Sequence, residues 1–250
     1  MTKVIFTGSG GRKGGDFTAC AGANENCEIV AGIDKFGGES LPYPVYPEAG
    51  AVDVSADVLV DFSHPSQLAS LLAFGEKTET PLVLCTTGYD EKQAETIRNA
   101  AKKIPVFYSG NMSLGINLLI ELSKKAMQVL GTDFDIEIVE KHHNQKIDAP
   151  SGTALMIADS LNAQSADEIH YVYDRHSQRR KRTPDEIGIH SVRGGTIVGE
   201  HEVIFAGPHE VITLTHSAES REIFALGALK ASLFLAGKPL GLYSMADLLK

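Results

Sequence analysis

The sequence predicts an α/β protein in two parts. One is a parallel sheet with helices on both faces. The other is an α+β part whose mixed sheet is open on one face. Three observations carry this. Up to about residue 110, short apolar β-branched runs alternate with helical segments, the pattern of a parallel sheet buried on both sides. Beyond about residue 112 the alternation stops, and a long helical pattern gives way to strands that alternate apolar and polar residues. The chain has 250 residues, 43% of them hydrophobic, enough for one large core or two smaller ones.

The elements follow in order. Val4-Ile5-Phe6-Thr7 is a strand that ends in glycines, and residues 28–34 form a second. Residues 57–62 form a third, and Pro65 suits the first position of the helix after it. Residues 81–85 are a strand, followed by a helix from about Asp90 to Lys103 and a last strand at 106–108. In "SLGINLLIELSKKAMQVLG", Leu114, Leu118, Leu122 and Met127 recur near helical spacing, and Gly131 is a C-terminal cap candidate. "FDIEIVE" alternates as a strand. "EIGIHSVRGGTIVGEHEVIFAGPHEVITLTHSA" reads as antiparallel strands with turns at Gly194-Gly195 and Gly207-Pro208. A helical pattern returns from Arg221 to Leu235.

Composition narrows the function. A net charge of −9 and a pI near 5.5 argue against nucleic acid or an anionic membrane as partner. An anionic ligand must therefore be held by a local cluster of positive groups. Cys20, Cys27 and Cys85 cannot pair completely and form no CxxC, so a reducing, cytoplasmic compartment is expected. No secretion signal or membrane-spanning run is visible. The basic run "QRRKRTPDE" holds no aromatic stacking partner and reads as a solvated loop.

The turn after the first strand, "TGSGGRKGGD", fits G-x-x-G-x-x-G at Gly8, Gly11 and Gly14. Glycines there let the backbone approach a pyrophosphate, whose charge rests on a helix N-terminus. Asp34 ends the second strand 20 residues after Gly14, where a carboxylate grips the adenosine ribose. Dinucleotide binding is expected. Lys35 has two readings, a solvated loop lysine or a partner for the 2′-phosphate of NADPH, which Asp34 alone would repel.

"EKHHNQKIDAPSGTAL", residues 140–155, concentrates the remaining chemistry. His142 and His143 follow a strand, Lys146 lies in the loop, and Ser151 is an N-cap candidate. That cap places the Gly152 and Thr153 amides at a positive helix end. The set suits a carboxylate and can supply a proton from His142 or Lys146. A metal is not expected, because HExxH is absent and no carboxylate or thiol stands at ligand spacing. The chain reads as a nicotinamide-dependent reductase of an anionic substrate.

At these residues the chain resembles the 4-hydroxy-tetrahydrodipicolinate reductase family, also called dihydrodipicolinate reductases, of lysine and diaminopimelate biosynthesis. The likeness runs nearly end to end, through "GSGGRKG", "DFSHP", "CTTGY", "SGNMSLGINLL", "VRGGTIVGEHEVIFAG", "THSAESREIFALGALKA" and "GLYSMADLL". The resemblance implies a Rossmann-type domain from residues 1–112 and 223–250, with a substrate and oligomerisation domain from 113–222. It implies reduction of a cyclic imine dicarboxylate by NADPH or NADH, in a homotetramer formed through the second domain's sheets. It implies dinucleotide contacts from Gly8, Ser9, Gly10, Gly11, Arg12, Lys13 and Asp34, and a nicotinamide side lined by Cys85, Thr86, Thr87, Ser109, Gly110, Asn111 and Met112. His142 would donate or accept a proton and Lys146 would donate one. His143, Gly152 and Thr153, helped by Ser151, would bind substrate. Three departures bear on the cofactor. The family turn usually reads Gly-Arg-Met-Gly before a basic residue, where this chain has Gly11-Arg12-Lys13-Gly14-Gly15. Cys85 replaces a usual glycine. Lys35 stands where arginine often reads the 2′-phosphate, and lysine lacks the planar fork. Both cofactors are expected to serve, with NADPH somewhat favoured. Two other readings are a reductase of the same architecture for another small acid, and a non-catalytic dinucleotide-sensing module.

Overall fold

Val4, Ile5 and Phe6 are all fully buried. A strand's side chains alternate between faces, so the sheet that holds this run must be covered on both sides. The computed structural model, which describes residues 1–37 and 41–250, forms that sheet in one of two units. The first unit is Met1–Leu114 with Glu222–Lys250, and the second is Gly115–Arg221. In chain order the elements begin with β1 (Thr2–Thr7), α1 (Arg12–Gly22), β2 (Cys27–Ile33), β3 (Val45–Tyr46) and β4 (Val58–Asp61). Next come α2 (Leu68–Thr78), β5 (Leu82–Leu84), α3 (Glu91–Ala100) and β6 (Pro105–Tyr108). The middle of the chain gives α4 (Leu114–Leu130), β7 (Asp135–His142), α5 (Gly152–Asn162), β8 (His170–Val172), β9 (Glu186–Arg193), β10 (Gly199–Gly207) and β11 (Glu210–Ala218). The last are α6 (Glu222–Leu235), β12 (Gly241–Tyr243) and α7 (Met245–Leu248).

The first unit holds a parallel sheet in the order β12-β6-β5-β4-β1-β2-β3. On one face Val4, Phe6, Val60 and Phe107 pack with Phe17 of α1 and Ala228 and Leu235 of α6. On the other, Ile5, Leu59, Leu82 and Val106 pack with Leu71 and Leu72 of α2 and Ile97 of α3. The chain runs outward from β1 through β2 and β3, then restarts at β4 on β1's other side. A crevice opens at that switch point, beyond the carboxyl ends of β1 and β4. Pro65 opens a 3₁₀ turn rather than the helix: His64 Nδ1 accepts the Ser66 amide there, and α2 starts only at Leu68. Asp90 and Gln93 close a capping box at the start of α3.

The second unit holds a mixed sheet in the order β11-β10-β7-β9-β8. This corrects the expected antiparallel run. β7 lies between β9 and β10, parallel to β9 and antiparallel to β10, so Gly194-Gly195 joins no hairpin. The turn at Gly207-Pro208 does close one, between β10 and β11. Ile136, Ile138, Ile189, Val203 and Phe205 face α4 and α5, where Ile120, Ile157 and Leu161 meet them. The opposite face mixes charged side chains with Val139, Val192 and Ile204. There Lys141 bridges Glu200 at 3.1 Å and Glu202 at 2.7 Å. The basic run is a largely exposed loop, as expected, but two of its arginines are tied down. Arg180 pairs with Glu186, and Arg182, 17% exposed, reaches Asp135 at 2.6 Å and Glu137 at 3.1 Å. Carboxylates on β7 and β9 attract it.

Two neighbouring glycines of α1 have opposite roles. A Cβ on Gly14 would lie 2.3 Å from the Ser9 carbonyl oxygen, whereas one on Gly15 would meet nothing within 4 Å. Gly14→Ala is expected to cost about 1–3 kcal/mol by overpacking, and Gly15→Ala to gain about 0.5–1 kcal/mol by helix propensity. Thermal melts should move in opposite directions, and a neutral Gly14→Ala would show that the turn yields freely.

Candidate active site

Each unit carries one set of functional residues. In the first unit they gather at the switch point. Gly8 holds a left-handed φ of +79° that turns the chain out of β1, and Gly14 brings α1 against that turn. Gly11 caps α1 without a side-chain hydrogen bond, so the positive end of the helix is not filled by a capping side chain. A cavity of about 600 Å³ opens beside them, lined by Gly8, Asp34, Lys35, Phe36, Ser63 and His64 among others. Asp34 forms one wall and ties it together: its carboxylate accepts the Gly10 and Phe36 amides, each at 2.9 Å. Glycine backbone and a carboxylate side by side at the switch point are what a dinucleotide's phosphates and ribose would need.

The other expected cofactor residues fall into distinct places. Ser9 is buried, and its hydroxyl points into the fold towards Gly32, so only its backbone can serve. The Arg12 side chain lies outside the described residues. The Lys13 ammonium stands over the Phe62 ring at 5.5 Å, and Lys13 does not line the Asp34 cavity. Cys85 packs in the core beside Val83 and Met112, so its thiol does not crowd the crevice, and burial pushes that thiol well above its ordinary pKa. Thr86 is buried and Thr87 exposed at the carboxyl end of β5. Ser109, Gly110, Asn111 and Met112 form a tight turn after β6, in which Ser109 Oγ donates to the Asn111 carbonyl at 2.8 Å.

In the second unit, period-two alternation along β7 puts Glu140 and His142 on the helix-covered face with Ile136 and Ile138. His142 ends the strand rather than entering the loop. Glu140 is fully buried. Its Oε2 lies 2.6 Å from His142 Nδ1; a carboxylate only accepts, so Nδ1 carries the proton. Arg193 forks onto both Glu140 oxygens at 2.8 and 2.7 Å, and the Ser151 amide donates to Oε1 at 3.1 Å. Burial raises the Glu140 pKa, but Arg193, Ser191 and His142 outweigh it and hold it at about 2. Burial lowers the His142 pKa against the pull of Glu140. His142 Nε2 is left for chemistry, and a Cβ on Gly199 would approach it to 3.1 Å.

Ser151 caps α5 as expected, with Oγ accepting the Ala154 amide at 3.1 Å and meeting His201 Nε2 at 3.1 Å. His201 stacks edge-on to His142, and burial, reinforced by His142, pushes it down to about 3. Lys146 pairs with Asp148 at 2.8 Å, and the Gly152 amide also reaches that carboxylate. Thr153 occupies the first turn of α5. His143 Nε2 lies 3.2 Å from Arg221 Nη2. His142, Ser151 and Gly152 therefore come together around Glu140 and the start of α5, with Lys146 joined to Gly152 through Asp148. Sequence reading missed Glu140, Arg193 and His201. The signal for Glu140 was present, since it stands two residues before His142 on a strand and so shares its face. Arg193 and His201 come from other strands, and only the register brings them here.

Comparison with known proteins agrees with this geometry. A family profile described as dihydrodipicolinate reductase, N-terminus, matches residues 2–112, and one described as dihydrodipicolinate reductase, C-terminus, matches residues 115–249. A 4-hydroxy-tetrahydrodipicolinate reductase of Caldanaerobacter subterraneus subsp. tengcongensis is 52% identical over 250 residues, spanning 100% of this chain and 99% of the relative. The Clostridium tetani protein of that name is 49% identical over 245 residues, spanning 98% and 96%. The solved structure of dipicolinate-bound dihydrodipicolinate reductase from Paenisporosarcina sp. TG-14 superposes with a TM-score of 0.82 at 25% identity, covering 98% of this chain and 97% of that one. Matched in both halves and over its full length, the chain belongs to the dihydrodipicolinate reductase family of oxidoreductases.

Proposed function

We propose that the protein reduces the cyclic imine dicarboxylate 4-hydroxy-tetrahydrodipicolinate to tetrahydrodipicolinate with NADH or NADPH, in lysine and diaminopimelate biosynthesis. One observation carries the reading. A single buried carboxylate, Glu140, holds both the His142 ring and the Ser151 amide, which fixes a proton-handling imidazole beside an anion-binding helix end. The bound nicotinamide supplies a hydride, which leaves excess electron density on the substrate ring. The Lys146 ammonium answers it with a proton, and His142 Nε2 accepts a proton as the neutral ring or donates one as the imidazolium. Ser151, Gly152 and Thr153 at the start of α5 receive one substrate carboxylate, and His143 receives the other. Asp148 supports this assignment, since Lys146 and the Gly152 amide already grip its carboxylate.

In this reading residues 1–112 and 223–250 bind the dinucleotide, and residues 113–222 bind substrate and build a homotetramer through the open sheet face. Three free cysteines favour a reducing compartment, the cytoplasm. Among the described residues no helix is long and apolar enough to cross a membrane, and no cluster of three or more His, Cys, Asp or Glu is placed to hold a metal ion. A coupled assay tests the function: the imine is generated from pyruvate and aspartate semialdehyde, and NAD(P)H absorbance is followed. Tight NADPH binding without turnover of fresh imine would refute it in favour of a sensing module.

Cofactor choice rests on Lys35, which shares the cavity wall with the carboxylates of Asp34 and Glu48. We expect both cofactors to work, with NADPH somewhat favoured. Lys35→Ala should raise the NADPH Michaelis constant and leave that for NADH nearly unchanged. Equal losses would show that Lys35 does not read the 2′-phosphate.

Lys146→Ala and His142→Gln should each lower kcat by about 10²–10⁴-fold, the usual range for a general acid. Both should bind NADPH as the parent does, and the double variant should lose far less than the product of the two singles. Full turnover by Lys146→Ala would remove that lysine from the mechanism.

Glu140→Gln tests the holder of the imidazole. Glu140 raises the His142 pKa against burial, so its neutral replacement should move the His142 limb of the kcat/KM profile to lower pH. The loss of activity should then be greatest above neutrality. An unshifted limb, in protein that still melts cooperatively, would show that Glu140 serves the fold alone.

A further inference from the structure

Phe36 is 93% exposed, more than any other aromatic among the exposed large hydrophobics, yet it lines the cavity that Asp34 and Gly8 border. It belongs to neither core cluster of its unit, so packing does not account for it. Its backbone is nonetheless fixed. The Phe36 amide donates to Asp34 Oδ1 at 2.9 Å, the Gly37 amide to the Asp34 carbonyl at 3.2 Å, and the Asp34 amide to the Tyr46 carbonyl at 2.9 Å. The turn thus presents an aromatic face at the cavity rim, two residues beyond the carboxylate that grips the ribose.

We propose that Phe36 is the platform on which the adenine of the dinucleotide stacks. This rests on the dinucleotide reading of the cavity and deepens it by assigning the base. The occupant follows from covalent geometry. A ribose held at Asp34 would carry its base beside its 2′-carbon, and the cavity that both Asp34 and Phe36 line, about 600 Å³, is large enough for a purine. A purine offers a flat π-face, which an aromatic ring covers whatever the base's hydrogen-bonding edge. Stacking also shields the ring of Phe36 from water. Phe36 then contributes equally to NADH and NADPH, because the base is common to both, whereas Lys35 acts on the 2′-phosphate alone.

The chain contains no tryptophan, so Phe36→Trp installs a single reporter at the proposed platform. Three probes are titrated: ADP-ribose, which carries the adenine; nicotinamide mononucleotide, which lacks it; and the full cofactors in steady-state assays. ADP-ribose should quench Phe36→Trp emission saturably, and nicotinamide mononucleotide should not. By calorimetry Phe36→Ala should bind ADP-ribose about tenfold or more weakly, with Michaelis constants for NADH and NADPH raised alike and that for the imine unmoved. Phe36→Leu, which keeps apolar area without a π-face, should remain impaired, and Phe36→Tyr should recover. Parent-like ADP-ribose affinity in Phe36→Ala, or unchanged Phe36→Trp emission while calorimetry registers binding, would overturn the platform and leave the dinucleotide site standing. Absence of ADP-ribose binding by the unmodified protein would overturn both.

Discussion

The second unit's chemistry depends on a carboxylate removed from water. An unpaired buried charge is costly by several kcal/mol or more, so Glu140 dictates what must surround it. The Arg193 fork from β9, the Ser151 amide before α5 and the His142 ring at the end of β7 all donate to it. These donors come from three elements, with Arg193 brought from far along the chain, and each donor holds its element against Glu140. Arg193 also donates to the Asp148 carbonyl at 2.6 Å, which anchors the loop carrying Lys146. Orientation of the imidazole, entry into α5 and placement of the loop are therefore consequences of one desolvated charge.

The two units solve the same electrostatic problem. The chain carries a net charge of −9, and both of its proposed ligands are anions. General attraction is unfavourable, so the positive potential has to be local and short in range. Both sites use a helix N-terminus. At α1 the glycine turn keeps side chains out of the way, and at α5 Ser151 takes the cap while the Gly152 amide reaches the Asp148 carboxylate. Amide dipoles hold an anion without adding basic side chains that would recruit unrelated polyanions.

Most strands of the first sheet, the glycine turn and the Ser151 cap were legible because local patterns fix them. The run 4–7, the spacing of Gly8 and Gly14, and Ser151 before Gly152 each encode their geometry within a few residues. What escaped was non-local. Alternation shows that β9 and β10 are strands, but nothing within them shows that β7 lies between. Strand pairing is decided by which apolar faces meet α4 and α5. The ion pairs that anchor Arg182 of the basic run escaped for the same reason, since its partners Asp135 and Glu137 lie more than 40 residues earlier. Cys85 was ambiguous until the direction of its side chain placed it in the core. Glu140 was read only as the end of a strand, because its burial depends on α5 closing over it.

The charge states of the cluster make His142 the member poised for proton transfer. Glu140 is held at about 2 by its donors and His201 is pushed to about 3 by burial. Between those values and neutrality the first stays anionic and the second neutral, so His142 changes its charge in a fixed field. The same shifts link the site to the fold. Both folded-state values lie below the unfolded ones, near 4.3 for glutamate and 6.5 for histidine. As pH falls below about 6.5 the unfolded chain gains a proton at position 201 that the folded chain refuses, and below about 4.3 it gains another at position 140. Each group withdraws stability in the same direction, as the pH drops. The arrangement that keeps His142 aligned at neutral pH is thus one that acid takes apart, because burial denies His201 the charge that acid would impose and the donors around Glu140 hold the charge that acid would remove.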